Sequence, residues 1–326
     1  MVPEASLLVG LVRLVDALPM PPAPPRSRGR PRQYSDRLFL KALVIMVVRR
    51  LPKVHLLLAV LEQPTAEMRQ LRALLTENGH YPTRRTWERR LRAIPDTLPA
   101  QIGCLGRHLV VVLAPWPDGS SIAAVDSTVL RAQGGVWHKK DREAGIVPHT
   151  SIDTEAHWTK SGWHGWVYGW KLHLVVTVAA VWLPLAAELT PANIADNEAA
   201  ARLLPELPPV LRWLLGDTSY DDTALHAQCA GAGRFLVTSK RGAYPHTDDG
   251  VEVRRVFHQL RSHAIENFNG QFKAIFDTTG QVPTRGLLAT RRYVLAAVFV
   301  YQLTLLLRFE HGADLRVGLK PFLKAA

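Results

Sequence analysis

Residues 122–130 (IAAVDSTVL) constrain this chain more than any other stretch. They read as a β-strand, yet a carboxylate, Asp126, stands in the middle of the apolar run. Burying a carboxylate without a partner is costly, so whatever fold forms must bring something to meet it. Asp217 poses the same problem at the end of a second apolar run, residues 210–217 (VLRWLLGD). In a mixed or parallel sheet, acids placed this way converge on one edge, where oxygen ligands can hold a divalent cation. Taken singly, each is also an ordinary strand-end Asp capping the next turn. Asp221 and Asp222 lie within reach of the same loop as Asp217.

The surrounding pattern sets the fold class. Residues 171–181 and 183–189 read as a hairpin of antiparallel strands, and residues 234–239 as another short strand. Helices fit over 196–204, 223–229 and 258–276. Strands interleaved with helices predict an α/β fold with a mixed sheet flanked by helices. Residues 293–307 are apolar but short for a membrane span, with Gln302 inside and Arg292 and Arg308 at the ends, and read as a buried helix. Cys104 and Cys229 are 125 positions apart with no CxxC partner, which fits a reducing, cytoplasmic setting and excludes a zinc ribbon. The histidines at 138, 149, 157, 164 and 173 are too scattered to point to zinc. No P-loop, GxGxxG or GxSxG occurs, which argues against nucleotide or esterase chemistry.

The front of the chain is helical and basic. Residues 19–31 (PMPPAPPRSRGRP) are Pro- and Arg-rich, so 1–32 are expected to be a flexible basic arm. Ser35 or Asp36 caps a helix to about Arg50, and helices over 54–61 and 66–75 follow. In 83–94 (TRRTWERRLRAI), Trp87, Leu91 and Ile94 form one apolar stripe. Arg85, Arg89 and Arg92 repeat that spacing, and Arg85 lies about 200° around from Trp87. One face packs, and the other is cationic, as a helix-turn-helix module needs to lie on DNA. The bland alternative is a solvated arginine face. Of the 12 net positive charges, residues 1–120 carry 18 − 9 = 9 and residues 121–326 carry 22 − 19 = 3. Such a balance calls for a polyanionic partner. The expected division is a helical DNA-binding domain over 33–118, a catalytic domain over 119–310 and a tail over 311–326. Trp163, Trp166 and Trp170 are candidates for stacking on bases, though tryptophans in such a region more often pack under the fold.

A third acid completes the constellation. Around Glu266, residues Ser262, His263, Glu266, Asn269, Gly270 and Lys273 fall on one side of a helix. Ile265, Phe268, Phe272, Ile275 and Phe276 fall on the other. Lys273 is two turns beyond Glu266 and nearly aligned with it. The apolar stripe is expected to dock on the sheet and present Glu266 toward the acids. The bland alternative is an ordinary surface Glu.

The order VDST (125–128), GDTSYD (216–221) and IENFNGQFK (265–273) resembles the DDE transposases of bacterial insertion sequences. LTPANIADN (189–197) and GRPRQYSD (29–36) are similar to that family too, and the likeness runs from about residue 29 to about 308. It implies an RNase H-like fold for the α/β region. It also implies catalytic, metal-binding roles for Asp126, Asp217 and Glu266, and DNA contact by Lys273. Related enzymes often carry Arg four residues before the Glu. This chain has Ser262 there, with Arg261 beside it as the candidate for that DNA-contacting role. Arg30 and Arg32 join Arg85, Arg89 and Arg92 as expected DNA contacts. The resemblance further implies Mg²⁺, two ions per site with Mn²⁺ able to substitute. It implies double-stranded DNA, transposon ends and target, as partner and a homodimer on it, with no membrane association. The expected reaction is cleavage at terminal inverted repeats followed by strand transfer. The rivals are a structure-selective nuclease of the same fold and a transposase-derived DNA binder that no longer cuts.

Overall fold

The computed structural model describes residues 6–22, 33–162, 165–238, 248–316 and 318–324, with side chains of 248–254 and 324 left aside. Arg30 and Arg32 lie outside the described residues. The N-terminal region is helical: α1 Leu7–Ala17, α2 Asp36–Val48, α3 Val54–Leu61, α4 Ala66–Leu74, α5 Arg84–Ala93 and α6 Leu98–Leu113. Ser35, Thr65 and Thr83 each accept a backbone N–H in the first turn of α2, α4 and α5, which is why those helices start there. Trp87 and Leu91 are fully buried and Ile94 nearly so, as the spacing in 83–94 predicts.

After β1 (Ile122–Arg131) come α7 (Lys139–Glu143), β2 (His157–Ser161), β3 (Gly165–Thr177) and β4 (Pro184–Pro191). Then follow α8 (Asp196–Leu203), β5 (Trp213–Gly216), α9 (Thr223–Gly231) and β6 (Phe235–Thr238). The chain closes with α10 (Asp248–Ile275), α11 (Leu287–Glu310) and α12 (Lys320–Lys324). In the sheet, β1 is central. On one side it pairs antiparallel with β3, which pairs antiparallel with β4 and with β2. On the other side it pairs parallel with β5, which pairs parallel with β6. This is a mixed sheet flanked by helices, as the strand and helix pattern predicts.

Helix α11 organises the packing. It is apolar all round, and a helix of that kind belongs in an interior. Its side chains from Tyr293 to Arg308 are buried without a break. It is long and apolar enough to cross a membrane, but 89% of its apolar window is covered by the rest of the chain. It packs on β4, α6, α2 and α1, so the N-terminal helices and the sheet share one hydrophobic core. Inside that core Gln302 Nε2 donates to Ile102 O of α6 (3.0 Å) and Pro184 O of β4 (2.8 Å).

One expectation needs correcting. The segment 1–32 is not one free arm: Leu8, Leu11, Val12 and Val15 of α1 are buried, because α1 packs on α2, α4 and α11. Within the expected tail 311–326, Leu319 is buried and α12 lies against α10.

Helix α6 approaches β4 closely through glycine. A Cβ on Gly106 would stand 2.7 Å from the carbonyl oxygen of Leu185, a backbone atom with little room to yield. Gly106→Ala is therefore expected to destabilise the fold by about 1–3 kcal/mol despite the better helix propensity of alanine. Equilibrium unfolding in urea checks this, and an unchanged midpoint would mean that α6 moves freely over β4.

Candidate active site

β1 pairs with β5 in the register Ala123 to Leu214 and Ala124 to Leu215. Two residues further along both strands stand Asp126 and Asp217, and Asp217 is still extended (φ −82°, ψ −171°). Side chains alternate with period two, so the two carboxylates project from the same face of adjoining strands. Their placement follows from the register alone.

Each carboxylate is anchored locally. Asp126 Oδ1 accepts from Ser127 N at 2.8 Å, and Asp217 Oδ1 accepts from Ser219 N at 2.7 Å. Asp221 accepts from Thr238 Oγ1 at 3.2 Å, and Asp222 caps α9 through Leu225 N at 2.9 Å. Those contacts separate the three acids of the 217–222 loop: Asp217 faces the sheet end, and the other two hold the loop.

The only ion pair on Asp126 among the described residues is with Arg261 of α10, Nη1 to Oδ2 at 3.3 Å. The Asp126 side chain is only 22% exposed. Burial pushes its carboxyl up, Arg261 and the Ser127 N–H oppose that, and Asp217 and Asp196 push further up, to about 6. One guanidinium thus faces the combined negative charge of three aspartates.

Tyr220 and Asp196 belong to this cluster, though sequence reasoning did not single them out. Tyr220 is 1% exposed, and its Oη has no hydrogen-bond partner among the described residues. Burial raises its pKa well above the usual value, and the fields of Asp126, Asp196 and Asp217 raise it further against Arg261. Asp196 opens α8 and pairs with Lys171 Nζ at 3.0 Å, with the ring of His173 3.5 Å away. Burial holds His173 below its normal range, and its Nε2 meets Thr190 Oγ1 at 2.9 Å. The signal for both residues was in the motifs already noted, GDTSYD and ANIADN.

Helix α10 docks on β1 by the predicted stripe: Ile265, Phe268 and Phe272 are fully buried, and Ile275 and Phe276 nearly so. Lys273 Nζ donates to Val129 O of β1 at 3.1 Å, and burial lowers its pKa. Glu266 is exposed on the same helix. Among the described residues, no group of three or more His, Cys, Asp or Glu side chains stands close enough together to hold a metal ion. The structure sets Asp126 and Asp217 on adjoining strands and leaves Glu266 exposed on α10. Arg261 is 8% exposed and turned onto Asp126 rather than outward.

The remaining candidates scatter. Arg85, Arg89 and Arg92 are exposed on α5. Trp170 is fully buried, whereas Trp166 is 68% exposed; Trp163 and His164 lie outside the described residues.

A family model for the transposase DDE domain matches residues 117–303, more than half of the chain. The chain belongs to the DDE transposase family. No curated protein matches this transposase. It is similar at 9% identity and a TM-score of 0.39 to the piggyBac transposase synaptic complex with hairpin DNA, over 98% of this chain and 75% of that one. It is similar at 12% identity and a TM-score of 0.22 to a pre-cleavage Mos1 transpososome, over 86% and 80%. For a Mos1 transposase paired-end complex with left transposon end the values are 12% and 0.23, over 90% and 83%.

The raised carboxyl of Asp126 gives a stability signature. A raised folded pKa favours the protonated form, so the stability it contributes is present below about 4 and is lost as pH rises through about 6. Asp126→Asn removes this titration. In chelator, the stability of the variant relative to wild type is expected to move in its favour by roughly 2 kcal/mol between pH 4 and pH 7. Denaturant titrations at the two pH values check it; a constant difference would show that Asp126 titrates normally.

Proposed function

We propose that this transposase binds the terminal inverted repeats of its element, cleaves DNA there with divalent metal, and joins the cut end to target DNA. The observation that carries the reading is the in-register placement of Asp126 and Asp217 on one sheet face, inside a family-matched domain.

The residues fit a cation in part. Asp126, Asp217 and Asp196 concentrate negative charge around one arginine and an unpartnered buried hydroxyl, Tyr220 Oη. Asp126 and Asp217 would hold the metal, and Glu266, carried by the helix that packs on β1, would complete the set. Mg²⁺ is the ion we assign, with Mn²⁺ as a substitute; when bound, such ions activate the attacking oxygen and stabilise the leaving oxygen of a phosphodiester. The protein supplies the rest. Ser127 and Ser219 N–H groups fix the carboxylates, Arg261 neutralises Asp126 in their company, and Lys273 braces α10 on β1. The exposed Arg85 and Arg89 offer phosphate contacts that need no base reading. We place the enzyme in the cytoplasm and, on DNA, as a homodimer.

Asp126→Ala and Asp217→Ala are each expected to cut Mg²⁺-dependent nicking of a labelled terminal-repeat duplex by on the order of 10³-fold or more, with end binding retained. Glu266→Gln is expected to do the same; wild-type nicking by it would reduce the metal set to the two aspartates. Normal cleavage by the Asp126 variant would remove the proposed chemistry altogether. Strand-transfer products with 3′-OH donor ends separate transposition from hydrolysis alone. Arg85→Ala with Arg89→Ala is expected to flatten the salt dependence of end binding by about 0.9 per lost phosphate contact.

A further inference from the structure

The largest described cleft lies away from the acids, where the N-terminal helices meet the end of β1. It holds about 1240 Å³ and is lined by Lys53, Glu88, Arg92, Gln133, Arg285 and Arg292 among others. The walls come from five parts of the chain: the start of α3, the helix α5, the loop after β1, Ser151, and the loop and first turns of α11. Gln133 stands two residues beyond the end of β1, the strand that carries Asp126.

The charge on these walls is one-sided. Glu88 is the only carboxylate that lines the cleft, and it is paired with Arg84 at 2.9 Å. Among the described residues Lys53, Arg92 and Arg292 have no ion-pair partner, and Arg285 acts on the carboxylate of Asp153 without forming an ion pair. Arg285 and Arg292 are held instead by backbone carbonyls, those of Thr150 and Pro52, the second at 3.2 Å. Such bonds aim a guanidinium without neutralising it. Arg292 also lies close enough to Arg92 that, after burial, the charge of Arg92 further lowers its pKa. Two guanidiniums gathered in one concave site, its lining carboxylate Glu88 paired with Arg84, form an arrangement that an anion stabilises.

We propose that this cleft is a binding track for the phosphate backbone of duplex DNA, continuous with the acid pair along β1. The proposal rests on DNA being the partner of this enzyme. Arginine forks and a flexible lysine spread over three elements suit successive phosphates rather than a single small anion. From Asp126 to Gln133, the first cleft residue after β1, is seven residues, at most roughly 23 Å at about 3.3 Å per residue. A duplex seated in the cleft and running along β1 would reach the carboxylates. It also assigns Arg92 a position distinct from Arg85 and Arg89, which do not line the cleft.

The test is the salt dependence of binding to a fluorescein-labelled duplex of arbitrary sequence, full-length chain, without divalent ions. Lys53→Ala, Arg92→Ala and Arg285→Ala are combined; Arg292 is left intact because it is part of the packing. The triple variant is expected to lose about 2–3 from the slope of log affinity against log salt. Lys139→Ala with Lys140→Ala, exposed cations on α7 outside the cleft, is expected to leave the slope within about 0.5 of wild type. Thermal unfolding establishes that each variant is folded, and single substitutions replace the triple if it is not. Binding by wild type with the same slope in the triple variant would overturn the cleft while leaving DNA as partner. No binding by wild type would overturn both.

Discussion

Everything about the candidate site depends on how β1 meets β5. A parallel pairing fixes register by backbone hydrogen bonds, so once Ala124 faces Leu215 the next same-face positions are Asp126 and Asp217. Two carboxylates are thereby forced into proximity at a sheet end, Asp126 mostly shielded and Asp217 half-buried. The molecule meets part of that cost with Arg261 and leaves the rest as a raised carboxyl on Asp126. A site with unspent negative charge is primed for a cation, and the same property makes it a source of instability at neutral pH.

The remainder of the architecture serves to hold that pairing still. Helix α11 binds β4, α6, α2 and α1 into one core, and α10 clamps β1 through Ile265, Phe268 and Phe272. Buried polar links make the packing specific rather than merely greasy: Gln302 ties three elements together, and Lys171 fixes Asp196 at the start of α8. Because α11 belongs equally to the N-terminal helices and to the sheet, basic residues on α3 and α5 are held in fixed relation to the end of β1.

Much of the secondary structure was legible in the residues. Helices over 54–61 and 83–94, and the strand over 122–130, appear within a residue or two of their expected bounds, because caps and periodicity act within one element. The misses share a cause. Helix α6 carries Gly103, Gly106 and a run of valines, a poor helical sequence by propensity, and is stabilised by contacts with β4 and α11. Helix α1 is apolar but short, and only burial against α2, α4 and α11 gives it a place. Strand β2 is partly exposed and exists because β3 extends far enough to pair with it.

The sequence by itself determined which segments are helix or strand, which face of α10 packs, and where the acids and the arginines occur along the chain. Spacing of 2 and 3.6 residues is a property of a single backbone segment, and it needs no partner to be read. Only the tertiary structure decided that Asp196 and Tyr220 join Asp126 and Asp217, that Arg261 turns inward onto Asp126, and that Glu266 stands exposed. It alone separated Arg92, facing a cleft with Arg292, from Arg85 and Arg89 on the same helix. Those outcomes depend on burial and charge between elements many residues apart, and no local period encodes them.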